Sequence, residues 1–533
     1  MDTEQTTVPK YACTENGGIA LDTTGNSITD YFMMYTRSLT QEQNYKYIEK
    51  CWSVSPVKTI AVIFNGRDRL TGKKEKTVSN QGMLWLRNNK PYTYMNNILT
   101  YVNKYGRWKD LLYICGSYNN RDGGMINKNY ELTLFANKLR DDIADLNSEN
   151  DVHNISLCAK WAPSENDRND TRKHFAKKLA TILYDKDDNK KMEKYRKEYL
   201  APLRKKINIV EKLMCNNEWD KINYECVPGV ASRRLHKAFN IHDSERYCEY
   251  LSKVRSGEAK INVTGILPHE LANYYVNLRN TQDEYTENET IELQWRTIVD
   301  NVKSSGILGN SLAVIDLSGS MFSASNGSIP AQVAISLGII TSQCCNGMFK
   351  NKFITFSDKP ELVSLIPDEL YKEYTEKGIE PSLYTCFKSL IDVDFGYNTD
   401  FVKCCESIIK YGLDNNIKDE DMPRKLFIFT DMQFDEANID SENKCVETVY
   451  KTIVKKFKAV GYTPPKFIFW NLNSAHKESF PVNCKTEGTA MISGFSEQLL
   501  KIFMSYDEFN ADLIVDEILA PYIKEIVIDE DEI

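Results

Sequence analysis

The stretch Asn310-Ser-Leu-Ala-Val-Ile-Asp-Leu-Ser-Gly-Ser-Met321 constrains the fold more than any other. Its apolar run, Leu312 to Ile315, reads as a strand buried on both faces, the pattern of a parallel sheet covered by helices. The run ends in Asp316-x-Ser318-x-Ser320, three oxygen-bearing side chains on alternate residues. Such a turn suits Mg²⁺, which takes hard oxygen ligands in near-octahedral geometry and keeps several waters. One carboxylate and two hydroxyls make half a shell, so the remaining ligands must come from elsewhere in the chain.

Two later segments can supply them. Asn398-Thr399-Asp400 is a polar turn ahead of the apolar-periodic stretch 401–409, which puts Thr399 on a loop entering a helix. Lys425-Leu-Phe-Ile-Phe-Thr-Asp431 repeats the first pattern, an apolar strand delivering a carboxylate at its end. Doubly wound sheets place ligands at the carboxyl ends of their strands. Asp316, Ser318, Ser320, Thr399 and Asp431 are therefore the candidate ligands for Mg²⁺ or another divalent cation. On these residues the segment resembles a von Willebrand factor A domain with its metal-ion-dependent adhesion site. The resemblance implies a Rossmann-like α/β fold and a protein ligand that donates a carboxylate to the metal. The sequence departs from that family at Asn398, where glycine is usual; Asn tolerates a left-handed backbone better than other non-glycine residues.

Around this core the elements alternate. Residues 329–345 form an apolar helix with Pro330 in its first turn, and 353–357 and 361–366 read as paired strands. Helices follow at about 381–391, 400–411 and 443–458, with strands at 425–430, 466–471 and 490–493. Strands alternating with helices predict a mostly parallel sheet.

The chain of 533 residues, 42% hydrophobic and 27% charged, has the composition of a soluble globular protein with room for two or three domains. No apolar run approaches the roughly 18–20 residues that span a bilayer, and the opening residues lack a basic and an apolar region, so no membrane and an intracellular, cytoplasmic location are expected. The fourteen cysteines contain no Cys-x-x-Cys and read as buried hydrophobes in a reducing compartment. The six histidines have no metal-ligand spacing, and His269-Glu270 lacks the second histidine of a zincin motif. With no general base placed to activate a nucleophile, no enzyme is expected.

The first half is helical in pattern. Residues 1–27 read as a flexible lead and 28–303 as an α-helical, HEAT-like array, with 304–533 as the A-like domain ending in the acidic Asp529-Glu-Asp-Glu532. Lys58-Thr-Ile-Ala-Val-Ile-Phe64 fits a strand or a buried helix. Met95, Ile98, Leu99 and Val102 mark one helix face, Leu132, Phe135, Leu139 and Ile143 another, and Phe175, Leu179, Ile182 and Leu183 a third. Gly66-Arg-Asp-Arg-Leu-Thr-Gly72-Lys73-Lys74 imitates a phosphate loop, but it has five residues between its glycines and Lys74 where the metal-binding hydroxyl belongs, which argues against nucleotide hydrolysis.

Net charge is −8, yet residues 151–260 carry 24 Lys and Arg against 17 Asp and Glu. Arg172, Lys173, Lys177, Lys178, Arg196, Lys197, Arg204, Lys205 and Lys206 are candidate phosphate contacts for structured or single-stranded RNA, with Tyr184, Tyr195 and Tyr199 available for stacking. A solvated helix face is the alternative.

Helical front and A-like domain behind resemble the Ro-type (TROVE) RNA-binding proteins. Closer is the resemblance to the DUF2828 family. It is carried by Asn65-Gly-Arg-Asp-Arg with Gly72-Lys73, Tyr105-Gly-Arg-Trp-Lys-Asp-Leu-Leu112, Leu157-Cys-Ala-Lys-Trp-Ala-Pro-Ser164, Tyr199-Leu-Ala-Pro-Leu-Arg204, Trp219-Asp-Lys-Ile-Asn-Tyr-Glu225, Pro268-His-Glu-Leu271, Thr430-Asp-Met-Gln-Phe-Asp435 and Ser493-Gly-Phe-Ser496. The Ro-type resemblance implies a non-enzymatic RNA-binding or ribonucleoprotein scaffold with a metal-dependent binding domain. The competing expectation is a metal-dependent protein–protein scaffold without RNA.

Overall fold

The apolar runs of the second half lie side by side in one sheet. The computed structural model describes residues 9–117, 126–149, 154–165, 170, 173–207, 209–281, 286–322, 329–356, 360–390, 400–435, 446–475, 478–506 and 508–533. In chain order, β1 (Tyr11–Cys13) and β2 (Ile19–Leu21) form a hairpin. Then β3 (Ser311–Ile315), β4 (Lys352–Thr355), β5 (Leu362–Ser364), β6 (Lys425–Thr430), β7 (Lys466–Asn471) and β8 (Thr489–Ser493) form a sheet of order β5-β4-β3-β6-β7-β8. Only the β4–β5 pair is antiparallel. The predicted strand pair around residue 360 and the mostly parallel sheet are both present.

Burial explains why the central strands carry no polar alternation. Every residue of β3 and β6 is buried, so both faces of each must be apolar. The period of two then divides the aromatic residues of β6 and β7 between the two faces. Phe467 and Phe469 pack on Phe401, and Phe467 also on Tyr450; Phe427 packs on Phe503. The Pro330–Cys344 helix lies against β3 so closely that a Cβ on Gly338 would sit 2.5 Å from Ile315 Cδ1.

The first half is helical, as predicted, and Pro56–Arg67 is a helix buried nearly all round rather than a strand. The face predicted from 95 to 102 is only half right: Ile98 and Val102 are buried, but Met95 and Leu99 are 41% and 42% exposed. Within the Pro91–Thr100 helix the buried side is Thr93, Tyr94, Asn97 and Ile98, so the core-facing stripe is rotated away from Met95 and Leu99; a π-helical turn follows at Tyr101–Tyr105. Two ion pairs fix this region: Arg67 to Asp110 at 2.7 Å and Arg87 to Glu131 at 2.6 Å, all four side chains buried. Tyr94 OH adds a hydrogen bond to Glu131, and Asn80 one to Asp110. Removing one member of such a pair costs about 3–5 kcal/mol because the other charge stays buried.

Sequence halves are not spatial halves. A single apolar core runs from Leu21 through both regions to Tyr522; a smaller one gathers Val210, Tyr224, Phe239, Tyr247 and their neighbours. The lead expected to be flexible is, from residue 11, the β1–β2 hairpin, held by Thr14 Oγ1 to Phe434 O (2.6 Å) and Asn16 Nδ2 to Gln433 O (2.8 Å) and by paired bonds between Leu21 and Phe480. The Ser27–Met34 helix packs on β8, and the Ala511–Ile523 helix lies across β8 and the Pro56–Arg67 helix.

The phosphate-loop mimic joins the two halves. Gly72 lies so close to Asn65 O that a Cβ would come within 2.0 Å of it, and Lys73 N donates to that same carbonyl. Lys73 is fully buried; its ammonium donates to Ser493 Oγ (2.7 Å) and to Phe32 O and sits 3.6 Å above the Phe32 ring. Burial pushes its pKa well down. Lys74 pairs with Glu497. The acidic terminal segment is also tied down: Glu532 Oε1 and Oε2 accept from the backbone N–H groups of Tyr92 and Thr93, in the first turn of the Pro91–Thr100 helix, where negative charge is favoured.

Candidate metal centre at the sheet edge

β3 and β6 are parallel neighbours in register, Ile315 opposite Phe429, so their ends deliver Asp316 and Asp431 to the same edge. Asp316 N continues the ladder to Phe429 O (3.0 Å), and the whole residue is buried. Its Oδ1 accepts from Ser318 N (2.9 Å) and its Oδ2 from Thr430 Oγ1 (2.6 Å). The chain then turns through the Gly319–Phe322 3₁₀ segment, anchored by the buried Met321, and brings Ser318 Oγ and Ser320 Oγ within 3.2 Å. Asp431 is 2% exposed and accepts from Gln433 N through Oδ1 (3.2 Å). Between them Met432 is left-handed, with φ +66°, a conformation rare for a non-glycine residue. Its N–H bonds to Thr430 Oγ1 at 3.1 Å, so the Thr430 hydroxyl serves both strand ends.

The electrostatics suit a cation. Burial raises the Asp316 pKa above the usual carboxylate range, the Asp431 charge raises it further, and hydrogen bonds from Thr430 and Ser318 only partly offset this. Two carboxylates and two hydroxyls on one buried edge are hard donors of the kind Mg²⁺ takes, and a divalent ion would relieve their repulsion. No three His, Cys, Asp or Glu side chains gather into a metal-holding cluster among the described residues. The structure therefore brings together four of the five predicted ligands, Asp316, Ser318, Ser320 and Asp431. Thr399 lies outside the described residues, while Asp400 beside it caps the Phe401–Asp414 helix through Val402 N and Lys403 N. Sequence reasoning missed Thr430, whose hydroxyl reads as one more strand residue until β3 and β6 are set in register.

The basic candidates divide. Arg172 lies outside the described residues. Arg204 is structural: it donates to Ala159 O (2.9 Å), Ala162 O (2.6 Å) and Ser164 Oγ (2.8 Å), satisfying carbonyls at the end of the Cys158–Trp161 helix. Tyr195 is in the core, its OH on Pro163 O, and Tyr184 packs edge-on against Tyr199 while bonding to Glu198, so these rings are engaged within the fold. Lys197 pairs with Glu193 on the surface. Lys173, Lys177, Lys178, Arg196, Lys205 and Lys206 are exposed. Among the histidines, His269 is buried against Phe495 and His242 stacks on Trp219.

Comparison with known proteins divides the chain where the sheet begins. A domain of unknown function, DUF7788, matches residues 310–524, which hold the whole candidate centre. A second, DUF2828, matches residues 14–133 and 131–308. An uncharacterized protein of Acanthamoeba polyphaga mimivirus, L728, is 32% identical over 538 residues, covering 96% of this chain and 87% of its own length. With more than half of its length matched by that second model, the chain belongs to the DUF2828 family.

Proposed function

We propose that the protein is a non-enzymatic binding scaffold that captures a partner through a divalent cation, Mg²⁺ or a close substitute, held by Asp316, Ser318, Ser320, Asp431 and Thr399. The observation that carries this is the pair of buried carboxylates at adjacent strand ends, facing each other's charge beside two converging hydroxyls. Sheet order, with the Asp-x-Ser-x-Ser strand at its middle and the second aspartate on the neighbouring strand, supports an A-type domain. When bound, the cation would supply an open coordination position for a carboxylate of the partner. The protein's part is to hold the ligands rigid: Thr430 locks Asp316, and the turn after β3 points both serine hydroxyls the same way. A shell of hydroxyls coordinates without generating a strong nucleophile, which favours binding over catalysis. The thirteen described cysteines are all free, which supports an intracellular setting. No helix is long and apolar enough to cross a membrane among the described residues. Calorimetric titration with Mg²⁺ and Mn²⁺ should show one saturable site that Asp316→Ala abolishes; unchanged affinity in that variant would refute the centre.

RNA binding by the helical front is a second reading, favoured by six exposed cations on neighbouring short segments, Lys173, Lys177, Lys178, Arg196, Lys205 and Lys206. Affinity for RNA should then fall steeply with salt, and reversing three of these charges should flatten the slope by about two to three units on logarithmic axes. Salt-independent binding would leave the cation-dependent scaffold standing alone.

A further inference from the structure

Beneath the helical front lies a cleft of about 520 Å³ that neither the metal centre nor the exposed basic stretch uses. Its walls include Arg69, Arg107, Lys160, Trp161, Glu211 and Arg234. These come from five segments spread along the sequence: the turn after Pro56–Arg67, the turn before Trp108–Ser117, the short Cys158–Trp161 helix, the Val210–Cys215 helix and the Gly229–His242 helix.

The positive charge in this cleft is only partly compensated. Arg67, next door, spends its guanidinium on Asp110. Arg69, Arg107 and Arg234 have no ion pair to any described carboxylate, and Arg69 Nε is buried with no hydrogen-bond partner. Glu211 is the one acidic side chain of the lining. Burial lowers the pKa of Arg69, and the charges of Arg107 and Arg67 lower it further, with Asp110 and Asp68 offsetting only part of this; Arg107 is lowered by burial and by Arg67 against the opposing charge of Asp110. Like charges crowded into a partly dry space destabilise the empty cleft, and an anion would remove that cost.

Two observations narrow the anion. Guanidinium forks match phosphate oxygens in a planar, two-point geometry. The cleft is far larger than inorganic phosphate needs and falls within the roughly 300–1,000 Å³ of small-molecule sites. The remaining space borders the half-buried Trp161, whose ring has Arg107, Lys109 and Lys160 at 5.7, 5.4 and 5.9 Å from its centroid. An indole in such surroundings offers a stacking platform to a nucleobase.

We propose that this cleft binds a nucleoside 5′-phosphate, free or as the end of a single-stranded RNA, with the phosphate on Arg69, Arg107 and Arg234 and the base against Trp161. The site shares no residue with the cation centre or with the 173–206 surface, so it stands or falls separately from both.

The test titrates the full-length protein with AMP, UMP, inorganic phosphate, adenosine and a 5′-phosphorylated single-stranded oligoribonucleotide, followed by tryptophan fluorescence and calorimetry. Saturable binding of a mononucleotide or of the oligonucleotide is expected, with quenching, and at least about tenfold weaker binding of phosphate or adenosine alone. Arg234 is exposed and holds nothing else in place, so Arg234→Gln should weaken binding about tenfold at unchanged Tm, as loss of one charge-assisted contact predicts. No saturable binding of any nucleotide or oligonucleotide below millimolar concentration would overturn the proposal. So would affinities unchanged in both Arg234→Gln and Arg107→Gln. Inorganic phosphate binding as tightly as AMP would overturn the place given to the base.

Discussion

Glu292 couples the stability of the fold to pH with a size that can be worked out. It lies on the Glu289–Lys303 helix of the front, and its carboxylate accepts from the backbone N–H groups of Leu383 (2.8 Å) and Tyr384 (2.9 Å) and from Tyr275 OH. It thereby caps the Leu383–Leu390 helix of the sheet region from the other half of the chain. Burial raises its pKa from 4.5 to about 7, against the three hydrogen bonds that favour the charged form, and Glu287 adds to the rise. Between those two values the folded chain holds a proton that the unfolded chain has released. The contribution of Glu292 to stability is therefore greatest below about pH 4.5, falls as pH rises towards 7, and levels off above it. At about 1.4 kcal/mol per unit, a shift of roughly 2.5 units amounts to about 3 kcal/mol, or a few degrees in Tm for a chain of this size. Glu292→Gln keeps an acceptor in the same place and carries no charge at any pH. Its Tm should match or fall slightly below wild type near pH 4.5 and exceed it by about 3 °C at pH 8. Thermal unfolding of both proteins across that range, in one ionic strength, is the assay. Curves that stay parallel from pH 4.5 to 8 would refute the reasoning.

Asp316→Asn should raise the Tm of the metal-free protein by removing one of two mutually repelling buried carboxylates, while abolishing the stabilisation that Mg²⁺ gives wild type, about 2.7 kcal/mol at a hundredfold excess over Kd; thermal unfolding with EDTA and with Mg²⁺ shows both signs at once. Lys73→Met should cost under about 1.5 kcal/mol, since it keeps the volume and removes a buried ammonium, whereas Lys73→Ala should cost more than about 2 kcal/mol by leaving a cavity; denaturant midpoints distinguish the two. Glu532→Ala should cost about 1 kcal/mol by uncapping the Pro91–Thr100 helix, read as a lower midpoint with unchanged circular dichroism.

What could be read from the residues was what repeats locally. The strand from Ser311 and the strand from Lys425 announced themselves as unbroken apolar runs ending in a carboxylate, because a strand buried on both faces has no polar alternation to hide it. The two carboxylates of the candidate centre followed from those runs, and Ser318 and Ser320 from the alternate spacing after Asp316. The Lys58–Phe64 run stayed ambiguous because its helix is buried nearly all round and so lacks a polar face to set a period. Lys73 read as the lysine of a phosphate-loop mimic and Arg204 as a candidate phosphate contact, and only their partners, Ser493 and Phe32 in one case and the carbonyls of Ala159 and Ala162 in the other, show them to be structural. Arg69, Arg107 and Arg234 lie up to about 165 residues apart, and no window along the sequence contains them together.

The crossing of the two halves has a consequence for biosynthesis. The Ser27–Met34 helix finds its packing partner in β8, roughly 460 residues downstream, and the Pro56–Arg67 helix is covered by the Ala511–Ile523 helix. At about 5–20 residues per second, a ribosome would hold these early apolar faces uncovered for roughly 25–90 s before their partners emerge. For that interval Phe32 and Met33 are surfaces for a chaperone rather than parts of a core, and the chain closes over them only once β8 and the Ala511–Ile523 helix have been made.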